Sequence, residues 1–484
     1  MELPQSASIS FLIRTDVASS SLSDLLVFIY QECILPYYTY FTNVGRWTAE
    51  GKEVLTFTLN DAHGAWHINV EISATNPVEV KLTPYGNLPP KILSRLREDL
   101  IITVQMFEEK IRKTTLYFAW VPEKKVIPEK VENTRRKIIR QIFMGNMIVF
   151  FIISIILSYA AFIVLIEFYN LPLIYFPFIM VLAQFIIILF SDKIIGSMGD
   201  WTITASDPYV HILQYHIPPE QFEIFREKNA RDKLLQVKRA IQNKTLALGG
   251  LIDAQSAQEV FNEYGINVRP ENIVTKTVNV YNIVKDVAAR FRISVPKIKL
   301  SNVIIPNAAA TGPSPRFGLV LITTGLLVQL DDDEIQSVIG HEMSHVKKRD
   351  PMALFALTTA EYILRIYLWN YIYFFGFLYI LFALGVIYFI AKFFEARADL
   401  DSAITLGHPA LLAGALRKIG YRRIQLERLH SNRIDSWLGW NPHPPISFRV
   451  DRLENLEEPQ KIKHPFIKSI KDCINGLLDE LKRM

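Results

Sequence analysis

The chain has 484 residues, of which 50% are hydrophobic and 12% aromatic, and its formal net charge is +5 at pH 7. This hydrophobic content suggests membrane segments within otherwise globular sequence, and the length allows several domains. No run of like charges is long enough to indicate a nucleic-acid partner, and two distant cysteines, Cys33 and Cys473, argue against a disulfide framework.

The first 132 residues have the pattern of a separate N-terminal α+β domain. The N-terminus lacks the basic start and apolar run of a signal peptide, so we expect this domain in the cytoplasm. We interpret it as an accessory domain that docks substrate or stabilises the assembly. Periodicity predicts, in order, a strand over 8–17, a helix over 22–32, strands over 53–59, 65–73 and 78–82, and a helix over 90–118.

Two pairs of apolar stretches are predicted to form membrane-spanning hairpins. Residues 142–166 and 171–191 carry no charge, and about 20 apolar residues cross a bilayer as a helix. Residues 351–391 contain only Glu361 and Arg365 as charged residues, which can pair at i, i+4, and are long enough for a second hairpin. Lys and Arg flank both hairpins and are absent from their turns, which places the globular regions on the cytoplasmic side of the cell membrane.

A metal-binding motif, HEMSH, follows at 341–345. Asp331, with Glu334 three residues later, predicts a helix that starts with a capping box. On a helix, residues i and i+4 share a face, so both imidazoles reach one ion. Imidazole nitrogens suit zinc, although cobalt or manganese could occupy the same site. Glu342 lies beside the first ligand and can take a proton from an attacking water.

A third ligand is predicted in the sequence EARAD at 395–399. Glu395 and Asp399 are spaced i, i+4, so both can face the metal. With Glu395 as ligand, Asp399 is well spaced to accept a hydrogen bond from the outer nitrogen of a ligating imidazole. We therefore expect one Zn²⁺ per chain, held by His341, His345 and Glu395.

These motifs, in this order, resemble the HtpX-type membrane zinc metalloproteases, which are related to the CAAX prenyl endopeptidases. The sequence PNAAATG at 306–312 is similar to the family's PNAFATG segment, and TGLL at 324–327 is similar to its TGLL. Residues 443–453 are similar to its HPxxxxRIxxL tail, with Val450 in place of Ile. The resemblance covers roughly residues 135–455.

The resemblance implies a gluzincin-like catalytic domain whose edge strand, at Asn307, Ala308 and Ala309, holds the substrate backbone. An extended peptide can add to a free sheet edge through main-chain hydrogen bonds. Ala309 stands where the family usually has Phe, so the side-chain selectivity at this point is not carried over. The resemblance also implies that His443 donates to the oxyanion of the tetrahedral intermediate and that Arg449 orders it.

We therefore predict an α+β, multi-pass membrane protein with four spans and a gluzincin-like zinc endopeptidase domain. Its expected partners are the lipid bilayer and protein or peptide substrates, cleaved as membrane or misfolded proteins at the cytoplasmic face. The alternatives are a CAAX-type prenyl-peptide protease, which would carry more spans, and a catalytically silent membrane scaffold. The predicted division is an accessory domain at 1–132, a membrane hairpin at 133–200, the first catalytic part at 201–350, a second hairpin at 351–393 and the second catalytic part at 394–484.

Overall fold

The computed structural model describes residues 7–15, 17–49, 51–127, 163–164, 175–221, 230–368, 376–429, 434–439 and 441–482. The strands in chain order are β1 Ile9–Ile13, β2 Phe41–Ala49, β3 Lys52–Asn60, β4 Trp66–Ser73, β5 Val78–Gly86, β6 Thr115–Trp120, β7 Trp201–Ile203, β8 Tyr209–His216, β9 Ile273–Asn279, β10 Lys297–Ser301, β11 Ala308–Thr311 and β12 Leu319–Thr323. The helices are α1 Leu22–Ile29, α2 Pro90–Arg112, α3 Phe176–Leu189, α4 Ser191–Gly196, α5 Ala230–Lys244, α6 Ala254–Glu263, α7 Val280–Arg290, α8 Thr324–Gln329, α9 Asp332–Lys348, α10 Asp350–Tyr367, α11 Gly376–Leu406, α12 Pro409–Leu429, α13 Ile434–Leu438, α14 Ile446–Glu454 and α15 Pro465–Lys482.

The chain forms two compact units. The first comprises residues 1–128 and 211–277, and the second comprises residues 129–210 and 278–484. Residues 211–277, which the sequence analysis groups with the catalytic region, therefore belong to the same unit as the N-terminal region.

The first unit contains a five-stranded antiparallel sheet in the order β1-β5-β4-β3-β2. Alternate residues of β4, such as Ile68, Val70 and Ile72, are buried, as expected for a sheet with one covered face. They share a hydrophobic core with α1 and α2, to which Leu25 and Val104 contribute. This region is α+β, as its sequence pattern indicates.

The same unit contains a second sheet of three strands, in the order β6-β8-β9. Phe118 and Tyr215 on two of these strands share a core with Ile241 of α5 and Phe261 of α6. Strand β6 was not predicted: the helix expected over 90–118 ends at Arg112, and the β-branched and aromatic residues that follow form the strand instead. Strand β2 was also not predicted.

The second unit is built on a four-stranded sheet in the order β11-β12-β10-β7. Strands β10 and β12 are parallel, whereas β11 and β7 pair antiparallel to their neighbours. Strand β11 therefore lies at an edge of this sheet. Helix α9 packs beside β11 and against α7, α11 and α12, and α14 packs on α12. These contacts bring the HEMSH helix, the EARAD segment and the edge strand into one unit.

The prediction of a four-span membrane protein is wrong for the described residues, in which no helix is long and apolar enough to cross a membrane. Helix α3, in the predicted second span, has 14 residues, or about 21 Å at 1.5 Å per residue, against a hydrocarbon core of about 30 Å. Helix α10 carries Asp350, Glu361 and Arg365 within its 18 residues. Almost all of the predicted first span, 142–166, lies outside the described residues, as does the predicted turn of the second hairpin at 369–375.

Candidate metal centre and active site

Helix α9 starts and ends at features that its sequence encodes. The Asp331 side chain accepts from the Glu334 amide at 3.0 Å, and Glu334 Oε2 accepts from the Asp331 amide at 3.1 Å, which confirms the predicted capping box. The helix ends where Arg349 adopts a left-handed conformation with φ of 57°. Acidic residues in the first turn and basic residues in the last turn complement the helix dipole.

Gly340 allows α11 to approach α9 closely. A Cβ at this position would lie 2.7 Å from Ser402 Oγ and 2.7 Å from Leu406 Cδ1, both on α11. Ser402 Oγ also donates to the carbonyl of Ser337 at 2.8 Å. The close crossing places the start of the HEMSH motif against the helix that carries EARAD.

The three predicted metal ligands converge on one point. His341 Nε2 and His345 Nε2 are 3.2 Å apart, and Glu395 lies 3.3 Å from His341 Nε2 and 3.5 Å from His345 Nε2. Tetrahedral bonds of about 2.0–2.1 Å give ligand–ligand separations of about 3.3 Å. The side chains therefore fit a single zinc ion with a fourth position left for water, and the structure brings the three predicted residues together.

Asp399 and Arg449 support the first imidazole. Asp399 Oδ1 lies 2.9 Å from His341 Nδ1, on the side of the ring opposite the ligating nitrogen. Arg449 donates to both Asp399 oxygens, at 2.8 Å from Nε and 2.7 Å from Nη2. Burial acts to raise the pKa of Asp399, but the charge and hydrogen bonds of Arg449, followed by His341, outweigh it and lower that pKa well below its usual range. Asp399 is thus an ionised acceptor that fixes the His341 ring.

Asp350 gives the same support to the second imidazole, and the sequence analysis missed it. Its Oδ2 lies 2.7 Å from His345 Nδ1 and also accepts from Arg397, the central residue of EARAD. Arg397 Nε lies 3.5 Å from Asp401, which accepts from Ser344 Oγ at 2.7 Å. Asp350 is five residues beyond His345, outside the i+4 spacing of one helix, and lies after the left-handed residue Arg349 that ends α9. One feature of the sequence could have indicated an acidic residue here: Arg397 lies between the site residues Glu395 and Asp399 and needs an acidic partner.

These carboxylates change the protonation of both imidazoles. Burial lowers the pKa of His341, but hydrogen bonds to Asp399 and Glu395 outweigh it and raise that pKa above its ordinary value. The pKa of His345 is also raised, because the charge of Glu395 and the hydrogen bond to Asp350 outweigh the effect of burial. A metal ion that binds here would compete with protons for both imidazoles.

Glu342 lies beside the ligands and contacts the edge strand. Its Oε2 accepts from the amide of Ala310 at 2.8 Å. Burial raises the pKa of Glu342 above its ordinary value, and the charges of His341 and His345 partly oppose this increase. A carboxylate with a raised pKa next to a metal-binding position is suited to carry a proton in both directions.

Strand β11 has one edge that pairs with no other strand in the described part of the chain. The Asn307 amide donates to Thr323 Oγ1 at 2.9 Å, and the Asn307 carbonyl accepts from the Thr323 amide at 3.1 Å, so Asn307 bonds toward the neighbouring strand β12. Since main-chain groups alternate between the two sides of a strand, Ala309 also faces β12, while Ala308 and Ala310 face the free edge. All three predicted substrate-binding residues, Asn307, Ala308 and Ala309, line a cleft of about 640 Å³ that contains the metal site.

His443 contacts the metal centre through its third ligand. Its Nδ1 lies 2.6 Å from Glu395 Oε2, and its amide donates to Asn441 Oδ1 at 2.9 Å. Lys392, fully buried one turn before Glu395, holds this loop by donating to the carbonyls of Asn441 and of Gly439, the latter at 3.4 Å. Burial lowers the pKa of Lys392 to about 8. The sequence analysis predicted the proximity of His443 but not the role of Lys392, which has no motif of its own.

A buried carboxylate beside three side chains that could hold one metal ion, in a cleft bordered by the edge strand of a sheet, is the arrangement of a metal-dependent hydrolase that acts on peptides. Comparison with known proteins agrees with this class. Residues 275–457 match Peptidase family M48. A protein named "Protease HtpX homolog" from Thermodesulfovibrio yellowstonii is 31% identical over 211 residues, which cover 36% of this chain and 74% of that protein.

Other relatives carry related names. "Protease HtpX homolog" from Thermococcus kodakarensis is 30% identical, covering 38% of this chain and 74% of the relative, and "Protease HtpX homolog 2" from Methanosarcina acetivorans is 34% identical, covering 34% and 67%. The crystal structure of S. mikatae Ste24p matches 35% of this chain and 49% of that chain at 18% identity, with a TM-score of 0.27. The chain belongs to the HtpX-type metalloproteases of peptidase family M48, which confirms the resemblance inferred from its motifs.

Proposed function

We propose that this metalloprotease is a zinc-dependent endopeptidase, with His341, His345 and Glu395 as zinc ligands and Glu342 as general base. The convergence of the three ligand side chains at separations of 3.2–3.5 Å carries this proposal. Two imidazoles and one carboxylate are a donor set used by catalytic zinc sites, and one zinc ion per chain would satisfy it. When bound, zinc makes water a better nucleophile and polarises the substrate carbonyl.

The residues around the metal have separate roles in this proposal. Glu342 accepts a proton from the attacking water and returns it to the leaving amine, for which its raised pKa is suited. His443 stabilises negative charge on the substrate carbonyl oxygen. Arg449 acts through Asp399: its two hydrogen bonds hold the carboxylate that orients His341.

Substrate is proposed to bind as an extended strand on the free edge of β11. The main-chain groups of Ala308 and the carbonyl of Ala310 are directed to this edge, whereas the Ala310 amide is already bonded to Glu342. Main-chain pairing gives affinity without regard to side chains, so unfolded or misfolded proteins and extended segments of membrane proteins are suitable substrates. Because Glu342 bonds directly to this strand, a peptide bound here lies next to the proton carrier.

Two further parts of the proposal rest on the sequence. Residues 142–166 form an uncharged stretch of 25 residues, and on this ground we propose that the protein is associated with the cytoplasmic face of a membrane. Recovery of the protein in the membrane fraction of lysed cells would support this, and its recovery in the soluble fraction would contradict it. The region of residues 1–132 is proposed as an accessory domain that docks substrate or stabilises the assembly.

The test of the endopeptidase proposal pairs wild type with Glu342→Gln, in which charge is lost and size is kept. Zinc content of the purified full-length proteins is measured together with cleavage of casein. We expect about one zinc per chain in both proteins, cleavage by wild type alone, and loss of that cleavage on chelation. Cleavage by the Gln variant would exclude Glu342 as the base, and a zinc-loaded wild type that cleaves neither unfolded nor membrane proteins would favour a silent scaffold.

A further inference from the structure

Arg423 of α12 occupies an unusual position in the wall of the catalytic cleft. It lines the cleft together with His443 and Arg449. It also lines a neighbouring cavity of about 270 Å³, which shares Asn441 and His443 with the cleft. Arg423 therefore lies where the second cavity adjoins the cleft.

The other charged residues that line the cleft already have partners. Glu342, Glu395 and Asp350 are engaged in the metal centre, and Arg449 is bound by both oxygens of Asp399. Arg423, by contrast, makes no hydrogen bond or ion pair in the part of the chain that the structure describes. It is a cation exposed to the cleft with its donors unused.

Glu427, one turn further along α12, is the acidic group that attracts Arg423, but its oxygens have other donors. They accept from the amide of Ile446 at 2.9 Å, the amide of Ser447 at 3.0 Å and the hydroxyl of Ser447 at 2.7 Å, at the start of α14. Burial lowers the pKa of Arg423, the charge of Glu427 raises it, and the charge of Arg449 lowers it again. A guanidinium nevertheless stays charged at all working pH values. Among the described residues, none forms an ion pair with this charge.

We propose that Arg423 is a specificity-determining residue that binds a carboxylate of the polypeptide substrate close to the scissile bond. The inference rests on the proposed endopeptidase function of the same cleft. The planar guanidinium offers two parallel donors to a carboxylate, a geometry that gives both strength and orientation. The bound carboxylate comes either from an Asp or Glu side chain or from the C-terminus of a peptide.

The contact with Arg423 lies where the adjoining cavity meets the cleft in which the substrate is proposed to bind. The lining of the cavity itself includes the carboxylates Glu427 and Asp435, so the substrate carboxylate is placed at its mouth, where Arg423 and His443 also line the cleft. Selection at this subsite depends on side-chain charge, whereas pairing to β11 depends on the main chain. Pairing to β11 gives affinity for any extended main chain, and the contact with Arg423 selects among cleavage sites by the charge of a substrate residue.

The test measures selectivity in the zinc-loaded full chain. Denatured proteins are digested and the cleavage sites are read by mass spectrometry, and a cleaved sequence is then made as quenched peptides. The peptides carry Asp, Asn or Lys at each position around the scissile bond, each with a free or an amidated C-terminus. The enzymes are wild type, Arg423→Ala, Arg423→Glu and the matched control Arg422→Ala. Arg422 is the adjacent exposed arginine, which bonds to Tyr421 Oη at 3.3 Å and does not line the cleft.

We expect wild type to prefer Asp over Asn at one position by about 10–100-fold in kcat/KM, the effect of one hydrogen bond to a charged group. Arg423→Ala should lose this preference while it still cleaves the Asn peptide, Arg423→Glu should shift it toward Lys, and Arg422→Ala should retain it. A preference that depends on the free C-terminus would identify the terminal carboxylate as the bound group.

Two results would overturn the assignment: equal losses on Asp and Asn peptides in Arg423→Ala, or a preference for Asp that survives in that variant. Wild-type cleavage with no acidic preference at any position, and no effect of the free C-terminus, would also overturn it. All three leave the proposed endopeptidase function intact. Absence of cleavage by wild type, or cleavage that persists in Glu342→Gln, instead overturns the proposed function and this inference with it.

Discussion

Removal of the Asp350 carboxylate is expected to weaken zinc binding through His345, which it contacts at 2.7 Å. Loss of a carboxylate that orients a metal-ligating imidazole lowers metal affinity by about 10–100-fold, or about 1.4–2.7 kcal/mol. Asp350→Ala also leaves Arg397 without its closest partner, and both side chains are less than a tenth exposed. Breaking such a buried pair costs about 3–5 kcal/mol, and we expect the lower end because Asp401 remains 3.5 Å from Arg397.

The two effects can be measured separately. Zinc affinity is obtained by competition with a fluorescent chelator, and stability by unfolding of the metal-free protein, since bound metal adds stability of its own. The double variant Asp350→Leu with Arg397→Met removes both charges and should recover stability while zinc affinity stays low. Asp333→Ala, an exposed acid in the first turn of α9, is the control and should keep wild-type affinity. Unchanged zinc affinity in folded Asp350→Ala would refute a role for this carboxylate in the metal site.

Two further predictions concern the helix crossing and the titration of the ligands. Gly340→Ala should destabilise the protein by about 1–3 kcal/mol in denaturant unfolding, because its Cβ would lie 2.7 Å from Ser402 Oγ. Gly385→Ala, with no atom within 4 Å of the added Cβ, is the control and should not destabilise. The zinc dissociation constant should rise as pH falls from about 8 to about 6, because His341 and His345 have raised pKa values and must lose protons to bind metal. A constant that does not change with pH would contradict this protonation.

The features of the site that could be predicted from sequence are those determined by the spacing of residues along one helix. The capping box at Asp331 and the i, i+4 pairs depend on residues within one or two turns, so the pattern determines their geometry. Glu395 lies 50 residues beyond His345, on α11, so local spacing does not pair it with the HEMSH helix; the order of the motifs along the chain and their resemblance to the family indicated the pairing. Asp350 and Lys392 were missed because their partners lie on other segments of the chain, and Arg423 was missed because its position in the cleft wall depends on how α12 packs against α9 and α14.

The error in the membrane prediction has a related cause. The membrane spans are predicted from the length of sequence without charged residues, but such a stretch does not show where a helix ends. Helix α3 ends at Leu189, and α4 begins anew at Ser191. Apolar residues of α11 such as Ile387 and Ala391 are buried within the protein, and an apolar run alone does not distinguish protein core from lipid.

The location of the bound metal tests the central claim most directly. Diffraction data collected at the zinc absorption edge from crystals of the zinc-loaded full chain would show the ion by its anomalous signal. The account predicts one strong peak within about 2.0–2.2 Å of His341 Nε2, His345 Nε2 and a carboxylate oxygen of Glu395. A peak bound by other residues, or none at this site in protein that contains stoichiometric zinc, would contradict the ligand assignment and the mechanism built on it.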